Sequence, residues 1–170
     1  QKLLGQYLVE ELHALKVDNA HMDEYGYVYA HIKGNNPDAD RVGFIAHMDT
    51  SFDFSGKDVK TRIIENYDGK DIELNPSLIT SLEVFPFLSD LKGKSLIVTD
   101  GTTLLGADDK AGLAEIMTLV DYLMSNETKH GDISICFTPD EEIGRGADMF
   151  DYKKFNADYA YTLDGGPVGS

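Results

Sequence analysis

The chain has 170 residues, of which 42% are hydrophobic and 26% are charged, a composition typical of a folded domain and not of a disordered chain. Fifteen Lys and Arg residues against thirty Asp and Glu residues give a formal net charge of −15, which disfavours nucleic acid and anionic membrane surfaces as partners. The single cysteine, Cys136, cannot form an internal disulfide, so we expect a cytoplasmic, reducing location.

The chain opens with a predicted helix, a hairpin and a buried strand. Leucines at helical spacing predict a helix from the first residues to about Lys16. The period then changes, and Val17–Met22 and Tyr27–Ile32 are predicted to be two strands joined by a polar turn. The continuous apolar run Val42–Ala46 is typical of a strand that is buried on both faces.

The middle of the chain is less regular. Residues 50–94 are rich in Gly, Asp and Pro, and we interpret them as a long excursion over the surface with short β pieces. A strand is predicted at Ser95–Thr99. The apolar spacing from Lys110 to Met124 then predicts a helix with one buried face.

The last part of the chain repeats the alternation of strand and helix. Ile133–Phe137 is predicted to be a strand that holds Cys136 as a small core residue. A short helix around Ala147–Phe155 and a final strand at Tyr159–Leu163 follow. Strands that alternate with helices predict an α/β fold with a largely parallel central sheet flanked by helices.

Histidine and carboxylate residues follow the predicted strands. The clusters are His47 with Asp49, Asp108 with Asp109, Glu141 with Glu142, and the single Asp164. In open α/β sheets, ligands bind at the edge formed by the carboxyl ends of the strands. Two acids at a helix start, such as Asp108 and Asp109, would also serve as helix caps, and that alternative stays open for this pair alone.

The donor types in these clusters favour a catalytic metal site. Imidazole and carboxylate ligands without thiolates suit zinc, with manganese and cobalt as alternatives. Two divalent cations carry a charge of about +4, which three carboxylates and one hydroxide would balance. A single cation would leave several acids crowded together, which would raise their pKa values.

Four motifs, in this order along the chain, resemble those of the peptidase T family. They are His47-Met48-Asp49-Thr50-Ser51, Gly106-Ala107-Asp108-Asp109-Lys110-Ala111-Gly112, Thr138-Pro139-Asp140-Glu141-Glu142 and Leu163-Asp164-Gly165-Gly166. The family is the aminotripeptidase branch of the co-catalytic zinc exopeptidases, which also include carboxypeptidase G and acetylornithine deacetylase. The resemblance extends into the linking segments and covers nearly the whole chain.

The resemblance implies a role for each residue of the clusters. Asp108 would bridge two zinc ions, His47 and Asp164 would complete the protein ligands of one of them, and Glu142 would bind the other. Glu141 would be the general base that activates a water molecule. Asp49 would hold the His47 imidazole in its metal-binding tautomer. The peptide bond between Asp108 and Asp109 is expected to be cis, as is usual in this family.

The activity implied by the resemblance is the release of the amino-terminal residue from tripeptides. One alternative is a dipeptidase or N-acyl amino acid deacylase of the same family. The other is a non-catalytic metal-binding scaffold, but the presence of Glu141 argues against it because metal binding alone needs no base.

Residues 1–170 would be the N-terminal part of the catalytic domain. The remaining histidine ligand and a lid domain, through which a homodimer is possible, would lie outside this chain. We therefore expect the 170 residues alone to bind metal weakly and to have little peptidase activity.

Overall fold

A computed structural model describes residues 1–166 and divides the chain into two compact units. The larger unit contains Gln1–Ser51 and the chain from Ala107 onward, and the smaller unit is Phe52–Gly106. In chain order the helices and strands are α1 (Lys2–Ala14), β1 (His21–Met22), β2 (Val28–Ile32), β3 (Val42–His47), β4 (Thr61–Ile64), β5 (Ile72–Asn75), β6 (Leu78–Thr80), β7 (Leu96–Thr99), α2 (Ala107–Ser125), β8 (Ile133–Thr138), α3 (Tyr152–Phe155) and β9 (Tyr159–Thr162). Among the described helices, none combines the length and the hydropathy that crossing a bilayer requires.

The larger unit is built on a five-stranded sheet in the order β1-β2-β8-β3-β9. The neighbours β8, β3 and β9 are parallel, whereas β2 is antiparallel to both β1 and β8. Four strands therefore run in one direction and β2 alone opposes them. The α/β class with a central sheet flanked by helices is confirmed, and the sheet is mixed because the hairpin β1-β2 contributes one reversed strand.

Apolar residues at helical spacing attach α1 and α2 to one face of this sheet. The buried cluster includes Leu8 and Leu12 of α1 and Ile116 and Val120 of α2, which pack with the even-numbered residues of β2 such as Val28. On the other face, the buried residues are Tyr27, Tyr29, Cys136 and Phe155. All six residues of β8 are buried, because this strand lies between β2 and β3 in the middle of the sheet. The expectation that Cys136 is a core residue is confirmed.

The smaller unit corrects two expectations for the middle of the chain. Residues 50–94 were expected to be a long surface excursion with short β pieces. The β pieces are present, but residues 52–106 form a compact unit in which Tyr67, Ile72 and Leu88 make a buried cluster of their own. The predicted strand at Ser95–Thr99 exists as β7, but it pairs with β4 and has no place in the central sheet. A run of apolar and β-branched residues identifies a strand, but it does not tell which strand will pair with it.

Two predicted elements are shorter than expected. The strand predicted at Val17–Met22 is reduced to β1, because Val17 still donates its backbone N–H to the Leu12 carbonyl at the end of α1. The helix predicted around Ala147–Phe155 is reduced to α3. It begins after Asp151, whose carboxylate accepts hydrogen bonds from two backbone N–H groups and caps the helix.

Candidate metal centre

His47 lies at the end of β3 with its imidazole 2% exposed. Its Nε2 is 2.8 Å from Oδ1 of Asp108, and its Nδ1 is 3.0 Å from the backbone carbonyl oxygen of Asp49. Burial by itself lowers the pKa of His47, but the hydrogen bond to Asp108 and the neighbouring carboxylates outweigh burial, so the pKa lies above its usual value. The ring is thus fixed by oxygen atoms at both nitrogens.

Asp108 reaches the centre from the start of α2 and not from a strand of the central sheet. Its carboxylate is 58% exposed, and the peptide bond to Asp109 is cis, as expected. Both aspartates have non-helical backbone angles, and the regular helix begins after them. Asp108 therefore faces His47 from the non-helical start of α2.

Asp109 is the buried member of this pair, at 2% exposure. Its Oδ2 accepts a hydrogen bond from the backbone N–H of His47 at 3.0 Å, and its Oδ1 accepts one from Gly112 at 3.1 Å. Burial raises the pKa of Asp109, although the hydrogen bonds from the N–H groups of His47 and Gly112 lower it in part. Asp109 caps α2 and at the same time joins that helix to the end of β3, a second role that the sequence analysis missed. The signal for the cap was an acid three residues before Gly112 at a helix start.

Glu141 and Glu142 lie in a single helical turn directly after β8. The turn lies between two residues in the left-handed region, Asp140 (φ 60°) and Gly144 (φ 72°), so the chain reverses sharply on each side of the two glutamates. The Glu141 Oε2 is 3.8 Å from Nε2 of His47. The end of β8 lies beside the end of β3, because Thr138 is in register with His47.

Asp49 connects the two strand ends. Its side chain, which is 1% exposed, accepts hydrogen bonds from the backbone N–H groups of Glu141 and Glu142, both at 3.0 Å. Its Oδ1 is 3.4 Å from Nδ1 of His47, which is longer than the contact made by its own backbone carbonyl. Asp49 therefore fixes the imidazole mainly through its main chain, and its carboxylate holds the turn that carries the two glutamates.

Asp164 follows β9, which lies parallel to β3 at the other side of His47. Its Oδ1 is 3.9 Å from Nε2 of His47. The next residue, Gly165, lies against Asp108, where an added Cβ would be 3.2 Å from Oδ2 of that aspartate. The end of β9 thus closes the group of acids on the side of Asp108.

The side chains predicted from the sequence meet at one edge of the larger unit. Ligand atoms within 4.8 Å of one another occur in three groups, which are His47 with Asp108 and Glu142, His47 with Glu141 and Asp164, and Asp108 with Asp109 and Asp164. Within residues 1–166, no ion pair joins any of the four exposed carboxylates Asp108, Glu141, Glu142 and Asp164 to a lysine or arginine. One imidazole and several carboxylates without a cationic neighbour fit the donor preferences of zinc and related divalent ions.

Comparisons with known proteins identify close relatives of the whole chain. No family model matches it. The chain is 59% identical over 168 residues to peptidase T of Clostridium perfringens, covering 98% of this chain and 41% of that protein. It is 57% identical over 173 residues to peptidase T of Bacillus subtilis, covering 99% of this chain and 42% of that protein. The chain therefore spans about two fifths of the length of these relatives.

Solved structures give the same relationship. The crystal structure of the aminopeptidase PepT from Bacillus cereus matches with a TM-score of 0.69 at 28% identity, over 94% of this chain and 37% of that chain. A tripeptidase from Staphylococcus aureus matches with a TM-score of 0.70 at 25% identity, over 96% of this chain and 38% of that chain. The resemblance to peptidase T that the four motifs indicate is confirmed.

Proposed function

We propose, from the confirmed resemblance to peptidase T, that the whole protein is a metal-dependent aminotripeptidase and that residues 1–166 supply most of its catalytic centre. The observation that carries this proposal is the convergence of His47 and four exposed carboxylates at one edge of the sheet, without a lysine or arginine paired to them in the described chain. A centre of this kind holds net negative charge that a pair of divalent cations would neutralise. Zinc is the ion that we expect, given the mixed imidazole and carboxylate donors.

The proposed metal ligands are His47, Asp108, Glu142 and Asp164. From the resemblance, His47 and Asp164 would bind one metal, Glu142 the other and Asp108 both. The Asp108 carboxylate supports this, because it lies within 4.8 Å of ligand atoms of His47, Glu142 and Asp164. The Nδ1 contact to the Asp49 carbonyl favours the tautomer with hydrogen on Nδ1, which leaves Nε2 to bind a metal. Oδ1 of Asp108, 2.8 Å from the same Nε2, would be a neighbouring donor to that metal.

Glu141 is the proposed general base. A pair of divalent metals, when bound, lowers the pKa of a shared water molecule and polarises the carbonyl of the scissile bond. Glu141 would accept the proton of the attacking water and then donate it to the leaving amine. This role is supported by the position of its carboxylate, which is 48% exposed and 3.8 Å from Nε2 of His47. The hydrogen bonds from the turn to Asp49 would fix the base relative to the metal ligands.

The proposed substrate is a tripeptide that loses its amino-terminal residue. The names of the relatives, peptidase T and tripeptidase, support this choice over a dipeptidase or an N-acyl amino acid deacylase. A non-catalytic scaffold remains the alternative from another functional class. The cytoplasm is the proposed location, on the basis of the single, buried Cys136, and the homodimer implied by the resemblance stays a prediction.

Hydrolysis assays on the whole protein test the proposal. Metal is removed with a chelator, and a tripeptide, a dipeptide and an N-acetyl amino acid are offered before and after zinc is restored. We expect hydrolysis of the tripeptide only, with the release of its first residue, and dependence on the added metal. Preferred hydrolysis of either other substrate would support the related enzymes, and zinc binding without hydrolysis of any of the three would support the scaffold.

A further inference from the structure

Two buried tyrosines hold the loop that follows the candidate base. Tyr27, directly before β2, and Tyr29, within β2, lie on the face of the sheet that α3 covers, with exposures of 2% and 0%. Each phenol hydroxyl contacts the backbone of the segment between the turn of Glu141 and α3. These hydroxyls act as anchors for the loop, because the buried rings fix their positions and each hydrogen bond is lost if the loop moves away.

Tyr27 makes two hydrogen bonds with this loop. Its Oη donates to the carbonyl of Gly146 at 3.0 Å and accepts from the backbone N–H of Met149 at 3.2 Å. Burial raises the pKa of Tyr27, so the hydroxyl keeps its proton and remains a donor at neutral pH. Tyr29 makes one such bond, in which its Oη accepts from the N–H of Asp151 at 2.9 Å, further along the chain.

Gly146 transmits the position of Tyr27 to Glu141. A Cβ added to Gly146 would lie 3.2 Å from Cα and 3.4 Å from Cβ of Glu141, so a side chain at Gly146 would press on Glu141. The turn between them is closed by hydrogen bonds from Gly144 N–H to the Glu141 carbonyl at 2.7 Å and from Arg145 N–H to the Asp140 carbonyl at 2.9 Å. The segment from Asp140 to Gly146 is therefore a closed turn with Gly146 close to Glu141.

The position of Tyr27 is itself fixed by the β1-β2 turn and by the strand that follows it. The carboxylate of Asp23 accepts hydrogen bonds from three backbone N–H groups of the β1-β2 turn, including that of Tyr27 at 3.0 Å. Val28 is in register with Phe137 of β8, so Tyr27 lies at the level where β8 ends and the chain turns towards Glu141. The ring stacks on Tyr29 with a centroid distance of 6.2 Å.

We infer that Tyr27 is a positioning residue for Glu141, acting through Gly146 and in addition to the hydrogen bonds from Asp49. This inference rests on the proposed function, in which Glu141 is the base. Asp49 holds the backbone N–H groups at the start of the turn, and Tyr27 holds the chain after the turn, at Gly146. With both contacts in place, the backbone of Glu141 is fixed, and so is the position from which its carboxylate reaches the attacking water.

The variants Tyr27→Phe and Tyr29→Phe in the whole protein test this inference. Each keeps its ring and loses its hydroxyl, but only Tyr27 contacts Gly146. We expect Tyr27→Phe to lower kcat about tenfold, less than the roughly 100-fold cost of a full 1 Å displacement, with KM and zinc affinity within about twofold of the original. Tyr29→Phe should leave kcat unchanged. An equal loss of kcat in both variants, or an unchanged kcat in Tyr27→Phe, would overturn the inference.

Hydrogen exchange measured by mass spectrometry gives a second readout that needs neither substrate nor metal. In Tyr27→Phe the amides of Gly144 and Arg145, which close the turn, should exchange faster, whereas in Tyr29→Phe they should not. If the whole protein does not hydrolyse tripeptides, the proposed function fails, and hydrogen exchange still decides whether Tyr27 holds the turn.

Gly146→Ala is a further variant that tests the same inference. It should lower kcat without change at Tyr27, because the new methyl group pushes against Glu141.

Discussion

The carboxylate of Asp109 accepts a hydrogen bond from the backbone N–H of His47 at 3.0 Å, across 62 positions of sequence. The same carboxylate accepts the N–H of Gly112 in the first turn of α2. One buried side chain therefore joins the helix that presents Asp108 to the strand that presents His47. The relative position of the two closest candidate ligands depends on a residue that we do not propose as a ligand.

Replacement of Asp109 should destabilise the fold. Asp109→Ala removes a helix cap and leaves the buried N–H of His47 without a partner, so we expect the free energy of unfolding to fall by about 2–4 kcal/mol. Asp109→Asn should cost less, because its amide oxygen can still accept one of the two hydrogen bonds. Urea denaturation measures both values. Asp108→Ala is the control and should change stability little, because its carboxylate is 58% exposed. Similar losses in Asp108→Ala and Asp109→Ala would contradict this view.

Glu141→Gln should separate chemistry from metal binding. The amide cannot accept the proton of the attacking water, so we expect kcat of the whole protein to fall by about 10²–10⁴-fold. Zinc affinity, measured by calorimetry, should stay close to that of the original protein. Glu142→Gln is the matched control in the same turn and should weaken zinc binding as well as activity. Normal turnover by Glu141→Gln would show that Glu141 is not the base.

Asp49→Asn should weaken metal binding although Asp49 is not a proposed ligand. The amide oxygen can accept only one of the two N–H groups of the glutamate turn, and its NH₂ group cannot replace the lost acceptor. We expect about a 10–100-fold loss of zinc affinity, which is typical when the support of a metal ligand is removed.

Asp151→Asn is the control for this prediction. Asp151 also accepts two backbone N–H groups, those of Lys153 and Lys154, but both bind the single oxygen Oδ1 at the start of α3, so the asparagine can keep them. Calorimetric titration of both variants with zinc should show the loss only in Asp49→Asn. A loss of the same size in Asp151→Asn would indicate that the missing negative charge, and not the missing acceptor, weakens zinc binding.

The sequence predicted much of the centre because its residues follow recognisable strand ends. His47 and Glu141 come directly after apolar strands, and the parallel pairing of β3 with β8 brings those ends together. Asp108 was also predicted at the centre, but the strand before it, β7, belongs to the smaller unit. Its motif was recognisable from adjacent residues, whereas the pairing of β7 depends on β4, more than thirty positions earlier.

The contacts that support the centre could not be predicted in the same way. Asp49 reaches the N–H groups of Glu141 across 92 positions, and Tyr27 reaches Gly146 across 119. No local spacing encodes such a hydrogen bond, because the partner is a backbone group that any residue carries. The resemblance implied an orienting role for Asp49, and the structure adds the contact of its carboxylate with the glutamate turn.

The pair Arg41 and Asp158 should make stability depend on acidic pH. The carboxylate of Asp158 accepts hydrogen bonds from the Arg41 backbone N–H at 2.9 Å and from its guanidinium at 2.7 Å. The hydrogen bonds and positive charge of Arg41 lower the pKa of Asp158 from its usual value to about 2. The pair lies where β3 and β9 begin, so it helps to hold the strand that leads to Asp164.

The direction of this pH dependence follows from the lowered pKa of Asp158. The unfolded chain binds more protons than the folded one between pH about 5 and 2. The contribution of Asp158 to the free energy of unfolding is therefore fully present above pH about 5 and is lost as the pH falls towards 2. The difference in denaturation midpoint between the original protein and Asp158→Asn should be constant from pH 7 to 5 and then shrink. A difference that does not change between pH 5 and 2 would rule out this source of acid sensitivity.

The central claim is that Asp108 is shared by two divalent metals. Crystals of the whole protein grown with zinc, with diffraction recorded on both sides of the zinc absorption edge, test it directly. We predict two anomalous peaks, one on each side of the Asp108 carboxylate, with His47 and Asp164 at one peak and Glu142 at the other. A single peak, or peaks that do not contact Asp108, would contradict the account.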